Sequence, residues 1–143
     1  MIGIDTCFLV DLDAAESPRH AGAEKLFREW LSTEQQLAVC SNVFLDRQHI
    51  MPDSKRFTVP LTMSQAIDRT WYWSEQSRIH ILYPDDESFK CAQVWLSLYH
   101  LGRNRLIDTH MAAIYARAGV TTLWTANAKD FEVFNMFALP EYY

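Results

Sequence analysis

Short apolar runs alternate along this chain with longer segments in which apolar residues recur every three or four positions. The short runs have the size of buried β-strands, and the longer segments have the period of amphipathic helices. Four strands are predicted, at residues 2–4, 37–40, 79–83 and 120–124. Helices are predicted at residues 8–12, 20–31, 41–50, 62–76, 87–101 and 106–118. The pattern also indicates a short edge strand within residues 134–139.

Strands that alternate with helices form a parallel sheet covered by helices on both faces. The chain has 143 residues, which is the length of one domain, and it contains no internal repeat and no linker. We therefore expect a single domain over residues 1–143. The expected fold class is α/β, a three-layer α/β/α sandwich around a central parallel sheet of about four or five strands. Functional residues in such sheets gather beyond the carboxyl ends of the strands.

Apolar spacing also predicts which helical residues face the core. The helix over residues 87–101 is expected to bury five apolar side chains: Phe89, Ala92, Val94, Trp95 and Leu98. Four tryptophans are expected in the core or at a subunit interface: Trp71, Trp73, Trp95 and Trp124. Gly119 follows the helix over residues 106–118, at the position where a left-handed residue caps a helix.

Composition narrows the class of protein. The formal net charge is −5, so the overall field does not attract a polyanion, although acids that hold divalent cations would reverse the local sign. The cysteines, Cys7, Cys40 and Cys91, are scattered singly, which indicates buried thiols rather than disulfides or a zinc site. No apolar run is long enough for a membrane span, and no basic segment precedes the first run. We expect a cytoplasmic protein.

Acidic and polar side chains follow the predicted strands. Asp5 comes directly after the first strand, Asp46 lies one turn into the next helix, and Asp108 lies near the start of the helix over residues 106–118. Asn127 and Asp130 follow the fourth strand. Carboxylates persist close together only when protons or cations neutralise them. Because hard oxygen ligands favour Mg²⁺ or Mn²⁺ over zinc, the pattern predicts a site for one of these ions.

Four segments in this order resemble those of a PIN domain, and the VapC-like toxins are the most similar subgroup. The segments are Ile4-Asp5-Thr6, Val43-Phe-Leu-Asp46, Ile107-Asp108-Thr-His-Met-Ala-Ala113 and Leu123-Trp-Thr-Ala-Asn-Ala-Lys-Asp-Phe131. The resemblance extends over nearly the whole chain and includes Arg56-Phe57 and the stretch from Pro60 to Ala66. Each segment alone is a weak signal, so the resemblance depends on their order and spacing.

This resemblance implies a compact α/β/α sandwich whose clustered acids bind Mg²⁺ or Mn²⁺ and hydrolyse single-stranded RNA. Members of the subgroup are commonly toxins that a small antitoxin protein holds inactive, and they are often dimeric. The chain is therefore expected to be a metal-dependent endoribonuclease. Its expected partners are a single-stranded or structured RNA substrate, an antitoxin and a second copy of the chain, with no role for a membrane.

Metal-binding roles are expected for the acids. Asp5 and Asp108 would ligate one Mg²⁺ or Mn²⁺ ion directly, and Asp46 would hold the ion through water. Such an ion polarises the scissile phosphate and lowers the pKa of a bound water. A second ion, recruited with the substrate near Asn127 or Asp130, would stabilise the leaving oxygen.

Substrate contacts are expected from four further residues near the acids. Thr6 and Thr125 would hydrogen-bond the metal ligands or a phosphate. Arg47, next to Asp46, and Arg105, one helical turn before Asp108, are predicted phosphate contacts.

Two positions depart from the family pattern. The second acid is usually Glu, whereas here it is Asp46, and the fourth acidic position falls on the neutral Asn127. An Asn carbonyl oxygen can still accept a hydrogen bond or act as a ligand. The departures leave open a catalytically weakened, PIN-like binding or scaffold module.

A third interpretation comes from the segment Phe8-Leu-Val-Asp11-Leu-Asp13, which is similar to the signature of haloacid-dehalogenase-like phosphatases. In such an enzyme Asp11 would be the nucleophile and Asp13 the acid/base, with Mg²⁺ between them. The resemblance is local, since Ala14 and Ala15 replace the expected following residues and no paired late acids follow a suitable strand.

Overall fold

A computed structural model describes the whole chain, residues 1–143. Four parallel strands form one sheet in the order β3-β2-β1-β4. The strands are β1 (Ile2–Ile4), β2 (Leu37–Cys40), β3 (Ile79–Leu82) and β4 (Thr122–Trp124). Ile4 at the end of β1 lies beside Val39 of β2 and Trp124 of β4. The predicted α/β fold with a central parallel sheet is confirmed.

Seven α-helices and one 3₁₀ turn, at Arg103–Arg105, connect and cover the strands. The helices are α1 (Thr6–Asp13), α2 (His20–Leu31), α3 (Ser41–Ile50), α4 (Met63–Ser74), α5 (Asp86–Leu98), α6 (Leu106–Arg117) and α7 (Ala128–Glu132). Asp5 caps α1 by accepting a hydrogen bond from the backbone N of Thr6. Gly119 has a φ of 77° after α6, as the sequence predicts. Helices α1 to α4 pack on one another, and α6 packs on α5 and α7.

The order of the strands reverses at β1, because β2 and β3 lie on one side of it and β4 on the other. Clefts for ligands form at such a reversal, beyond the carboxyl ends of the strands. Tyr115 of α6 is fully buried there. Its hydroxyl donates to the carbonyl oxygen of Ile4 and accepts a hydrogen bond from the backbone N of Cys40. The contact fixes α6 against the ends of β1 and β2.

Two predictions about secondary structure and burial are wrong. Residues 134–139 form no strand: only an isolated bridge joins Ala138 to Thr122, and the Phe134 ring stacks on Trp95. More than half of the surface of three α5 side chains is exposed: Phe89, Val94 and Leu98. Of the tryptophans predicted in the core or at a subunit interface, Trp73 and Trp124 are buried, and Trp71, which is 63% exposed, lies outside the core of this chain. Helical spacing identifies an apolar face but not what covers it.

None of the helices combines the length and the apolar character that a transmembrane segment requires.

Candidate active site

Asp5 occupies the position where β1 ends and α1 begins. Its backbone N donates to the carbonyl oxygen of Trp124, which aligns the ends of β1 and β4. The side chain is buried and accepts three hydrogen bonds. The donors are the backbone N of Thr6 at 2.7 Å, the Thr125 hydroxyl at 2.6 Å and the Cys7 thiol at 2.9 Å. Asp5 therefore has a fixed orientation at the strand reversal.

The environment of Asp5 acts on its pKa in two directions. Burial raises the pKa of the carboxyl, and the nearby Asp46 raises it further. The three hydrogen bonds favour the ionised form and oppose this rise, although burial prevails. A positive charge placed beside Asp5 would therefore stabilise the carboxylate.

Cys7 and Thr125 connect Asp5 to the segment that follows β4. The Thr125 hydroxyl accepts a hydrogen bond from the backbone N of Asn127 at 2.9 Å, and the Cys7 sulfur accepts one from the backbone N of Ala126 at 3.1 Å. Both side chains thus hold a carboxylate and a loop at the same time. The sequence pattern predicts a role for Thr125, whereas for Cys7 it indicates only a buried thiol.

Asp46 of α3 and Asp108 of α6 face the same open pocket as Asp5, which has a volume of about 310 Å³. Asp46 is exposed, and the Thr6 hydroxyl lies 3.5 Å from its Oδ2. Asp108 is half-buried. The structure therefore brings together the three acids that the sequence placed at one edge of the sheet.

Negative charge predominates in this pocket. No Lys, Arg or His forms an ion pair with Asp5, Asp46 or Asp108. Burial raises the pKa of Asp108 to about 6, and the neighbouring Asp5 and Asp130 add to this effect while Arg105 opposes it. Mutual repulsion of this kind is what a bound cation relieves.

The donor atoms and the charge of the pocket fit a hard divalent cation such as Mg²⁺ or Mn²⁺. In this structure, no three side chains of His, Cys, Asp or Glu lie close enough together to hold an ion. The carboxylates would have to draw closer around a cation.

Asn127 and Asp130 follow β4 as predicted, but they face the site differently. Asn127 is exposed at the edge of the pocket that contains the three acids. Asp130 lies in α7 and lines an adjacent cavity of about 380 Å³. Arg105 lies 3.8 Å from the Asp130 carboxylate and also donates to the Asp130 carbonyl oxygen. The predicted phosphate contact of Arg105 would compete with these interactions.

The side chain of Arg47 is not positioned to contact a phosphate at the pocket, so the predicted phosphate contact of Arg47 is wrong. The side chain is fully buried, and its Nε donates to Oδ2 of Asp13 at 2.8 Å. Consecutive residues of a helix point about 100° apart. Asp46 therefore faces the pocket while Arg47 faces α1.

Asp11 and Asp13, the predicted pair of the phosphatase interpretation, have structural partners. Both lie in α1 rather than after a strand. Asp11 accepts hydrogen bonds from the hydroxyls of Ser17 and Tyr142. Asp13 accepts from Arg47 and from Trp73. These contacts occupy both carboxylates, and the phosphatase interpretation is wrong.

The structure adds two basic side chains to the pocket, His49 and Arg56. His49 lies three residues after Asp46 on α3, and this spacing places both on one face of the helix. Arg56 belongs to the loop between α3 and α4. Because a loop has no regular period, sequence spacing does not predict which way its side chains point.

Solved structures of toxins share this fold. VapC20 of Mycobacterium tuberculosis, a toxin that cleaves the sarcin–ricin loop, matches 92% of this chain and 94% of its own, with a TM-score of 0.72 and 16% identity. A toxin–antitoxin complex from Klebsiella pneumoniae matches 99% of this chain and 98% of its own, with a TM-score of 0.69 and 17% identity. The chain has the VapC-like PIN fold. VapBC-1 of nontypeable Haemophilus influenzae matches this PIN fold with a TM-score of 0.66 and 18% identity, over 99% of this chain and 98% of its own.

Similarity of three-dimensional structure, rather than overall sequence similarity, shows the PIN fold. The sequence matches no protein-family model and no curated protein.

Proposed function

We propose that this protein is a divalent-metal-dependent endoribonuclease and the toxin of a toxin–antitoxin pair. The observation that carries the proposal is the meeting of Asp5, Asp46 and Asp108 in one pocket at the strand reversal, without a cationic partner. The fold supports it, because the similar structures are toxins and toxin–antitoxin complexes.

Asp5, Asp46 and Asp108 would hold Mg²⁺ or Mn²⁺, with Asp5 as the fixed ligand and the other two adjusting. Thr125, Cys7 and the backbone N of Thr6 hold Asp5 in place, so little reorganisation is required of it. When bound, the cation would polarise a phosphodiester and lower the pKa of a water molecule. Asp46 is exposed, and its oxygens can also accept hydrogen bonds from that water.

The test is cleavage of an unstructured oligoribonucleotide in Mn²⁺ or Mg²⁺ by the wild type, Asp108→Asn and Asp68→Asn. Asp68 is an exposed acid of α4 outside the pocket, so its substitution removes the same charge elsewhere. Wild type and Asp68→Asn should cleave equally, and Asp108→Asn should lose at least about a hundredfold in rate. Equal cleavage by all three variants would exclude the site.

The toxin role is tested in cells. Induced expression of the wild-type chain should arrest growth, and Asp108→Asn should not. Co-expression of an antitoxin encoded beside the chain should restore growth and yield a stable complex. If the wild-type chain cleaves RNA but does not affect growth, the protein is a nuclease but not a toxin.

A binding or scaffold module is the second candidate, because the neutral Asn127 stands at the edge of the pocket. In that case the wild type would cleave no RNA, and Mn²⁺ affinity would be the same before and after Asp5→Asn. A nuclease must lose Mn²⁺ affinity with that substitution.

A further inference from the structure

The loop between α3 and α4, residues 51–61, brings an arginine to the pocket that contains the three acids. Arg56 lines this pocket and is exposed. Its guanidinium forms no hydrogen bond and no ion pair, and the guanidinium carbon lies 5.9 Å from the centroid of the Phe57 ring. The positive charge of Arg56 is therefore available to a ligand.

The α3–α4 loop has a fixed backbone on both sides of Arg56. Before it, the backbone N atoms of Arg56 and Phe57 donate to the carbonyl oxygen of Asp53. After it, the carboxylate of Glu16 accepts hydrogen bonds from the backbone N of Thr58 at 2.8 Å and of Val59 at 2.9 Å. The loop therefore presents Arg56 from a defined position.

Side-chain packing anchors the same loop to the body of the protein. The Phe57 ring is buried in a small apolar cluster with Val10, Ala14 and Met51. The backbone N of Leu61 donates to the carbonyl oxygen of Met51, which closes the loop at its base. Little conformational entropy remains to be lost when a ligand binds at Arg56.

The other arginines near the acids have anionic partners. Arg47 is paired with Asp13, and Arg105 lies beside Asp130. His49 lines the same pocket as Arg56, is exposed and has no hydrogen-bond partner. The basic side chains of the pocket that have no anionic partner thus lie on the side formed by the end of α3 and the α3–α4 loop.

We propose that Arg56, together with His49 of the same pocket, binds a backbone phosphate of the RNA next to the scissile one. This inference rests on the proposed nuclease function. A net charge of −5 repels RNA at long range, so the attraction has to come from the pocket, from a bound cation together with basic side chains that contact phosphates. A guanidinium suits this role because its planar N–H groups can donate two parallel hydrogen bonds to one phosphate.

The test is steady-state cleavage of an unstructured oligoribonucleotide in Mn²⁺, at several salt concentrations, by four proteins. They are the wild type, Arg56→Gln, Arg56→Lys and Arg28→Gln. Arg28 is an exposed arginine of α2 outside the pocket, so its substitution removes the same charge without touching the site.

Arg56→Gln should raise KM about tenfold and leave kcat within about twofold, because the lost contact acts on binding. The slope of log(kcat/KM) against log[salt] should become shallower by about 0.7, the value of one phosphate contact to a single strand. Arg56→Lys should keep most of the slope and lose part of the affinity, since lysine is a point charge. His49→Gln should raise KM by a smaller factor.

Two results overturn the inference while leaving the nuclease function intact. One is an Arg56→Gln variant with the KM and salt slope of Arg28→Gln, and the other is a fall in kcat at unchanged KM. Absence of cleavage by the wild type and Arg28→Gln alike would overturn the proposed function itself. Thermal unfolding checks that Arg56→Gln is folded. Because the Arg56 side chain is exposed, we expect the substitution to leave the fold intact.

Discussion

The Cys7 thiol donates a hydrogen bond to Oδ2 of Asp5, with 2.9 Å between sulfur and oxygen. Burial raises the pKa of Cys7 to about 12, and the nearby Asp5 carboxylate acts in the same direction. The sulfur therefore keeps its proton at neutral pH and acts as a donor. Because the same sulfur accepts a hydrogen bond from the backbone N of Ala126, one side chain fixes both a candidate metal ligand and the segment after β4.

Removal of this thiol should weaken both the fold and metal binding. We expect Cys7→Ala to lose about 1–2 kcal/mol of unfolding free energy, because a buried carboxylate and a backbone N lose a partner. Mn²⁺ affinity should fall about tenfold, as for other partners that orient a metal ligand. Urea unfolding and Mn²⁺ titration measure the two effects.

Cys7→Ser and Cys91→Ala are the matched controls. Serine keeps a donor and an acceptor at position 7 and should restore most of the Mn²⁺ affinity. Cys91 is a half-buried free thiol of α5, and its loss should leave Mn²⁺ binding unchanged. Equal Mn²⁺ affinity in Cys7→Ala and Cys91→Ala would show that the thiol does not position Asp5.

Asp108 should make the metal-free protein less stable as the pH rises. Its pKa is raised to about 6 from an ordinary value of 3.8, chiefly by burial and then by Asp5 and Asp130. The folded state therefore binds the proton more tightly than the unfolded state, so its contribution is complete below about pH 4 and is lost as the pH rises through about 6.

Asp108→Asn should remove this dependence. In the presence of a chelator, we expect the variant to unfold about 3 °C above the wild type at pH 7.5, which corresponds to about 1 kcal/mol for a half-exposed group. The difference should shrink towards pH 4.5. Thermal melts across this range, with Asp68→Asn as the control, measure it. A difference that stays constant with pH would contradict the raised pKa.

The positions of the three acids could be predicted because they depend on short-range information. Asp5 follows an apolar run directly, and parallel strands bring such positions to one edge of the sheet. Asp46 lies in the second turn of α3 and Asp108 in the first turn of α6, and both reach the same edge. Local pattern and the topology rule together were sufficient to bring these residues into one pocket.

The partners of the side chains could not be predicted in the same way. Nothing in the sequence pairs Arg47 with Asp13, which lies 34 residues earlier and meets it only when α1 packs on α3. Arg56 reaches the pocket because Glu16, more than 40 residues before its partners Thr58 and Val59, holds the loop. The exposure of the apolar side chains of α5 does not follow from the sequence, because periodicity does not show whether a neighbouring element covers them.

The pair of Arg47 and Asp13 should be important for stability rather than for RNA binding. Arg47 is fully buried, and its Nη1 has no hydrogen-bond partner. Burial lowers the pKa of Arg47, and Asp13 opposes this change. We expect Arg47→Met to cost about 3 kcal/mol, because Asp13 would be left largely buried with weaker partners.

Two further variants separate the loss of the pair from the loss of a charge. Arg69→Gln removes a half-exposed arginine 3.8 Å from Asp13 and should cost less than about 1 kcal/mol. The double variant Asp13→Leu/Arg47→Met should recover part of the stability lost in Arg47→Met, because it leaves no buried charge without its partner. Urea unfolding with an unchanged m-value measures all three. If Arg47→Met were no less stable than Arg69→Gln, the buried pair would contribute nothing beyond an ordinary surface charge.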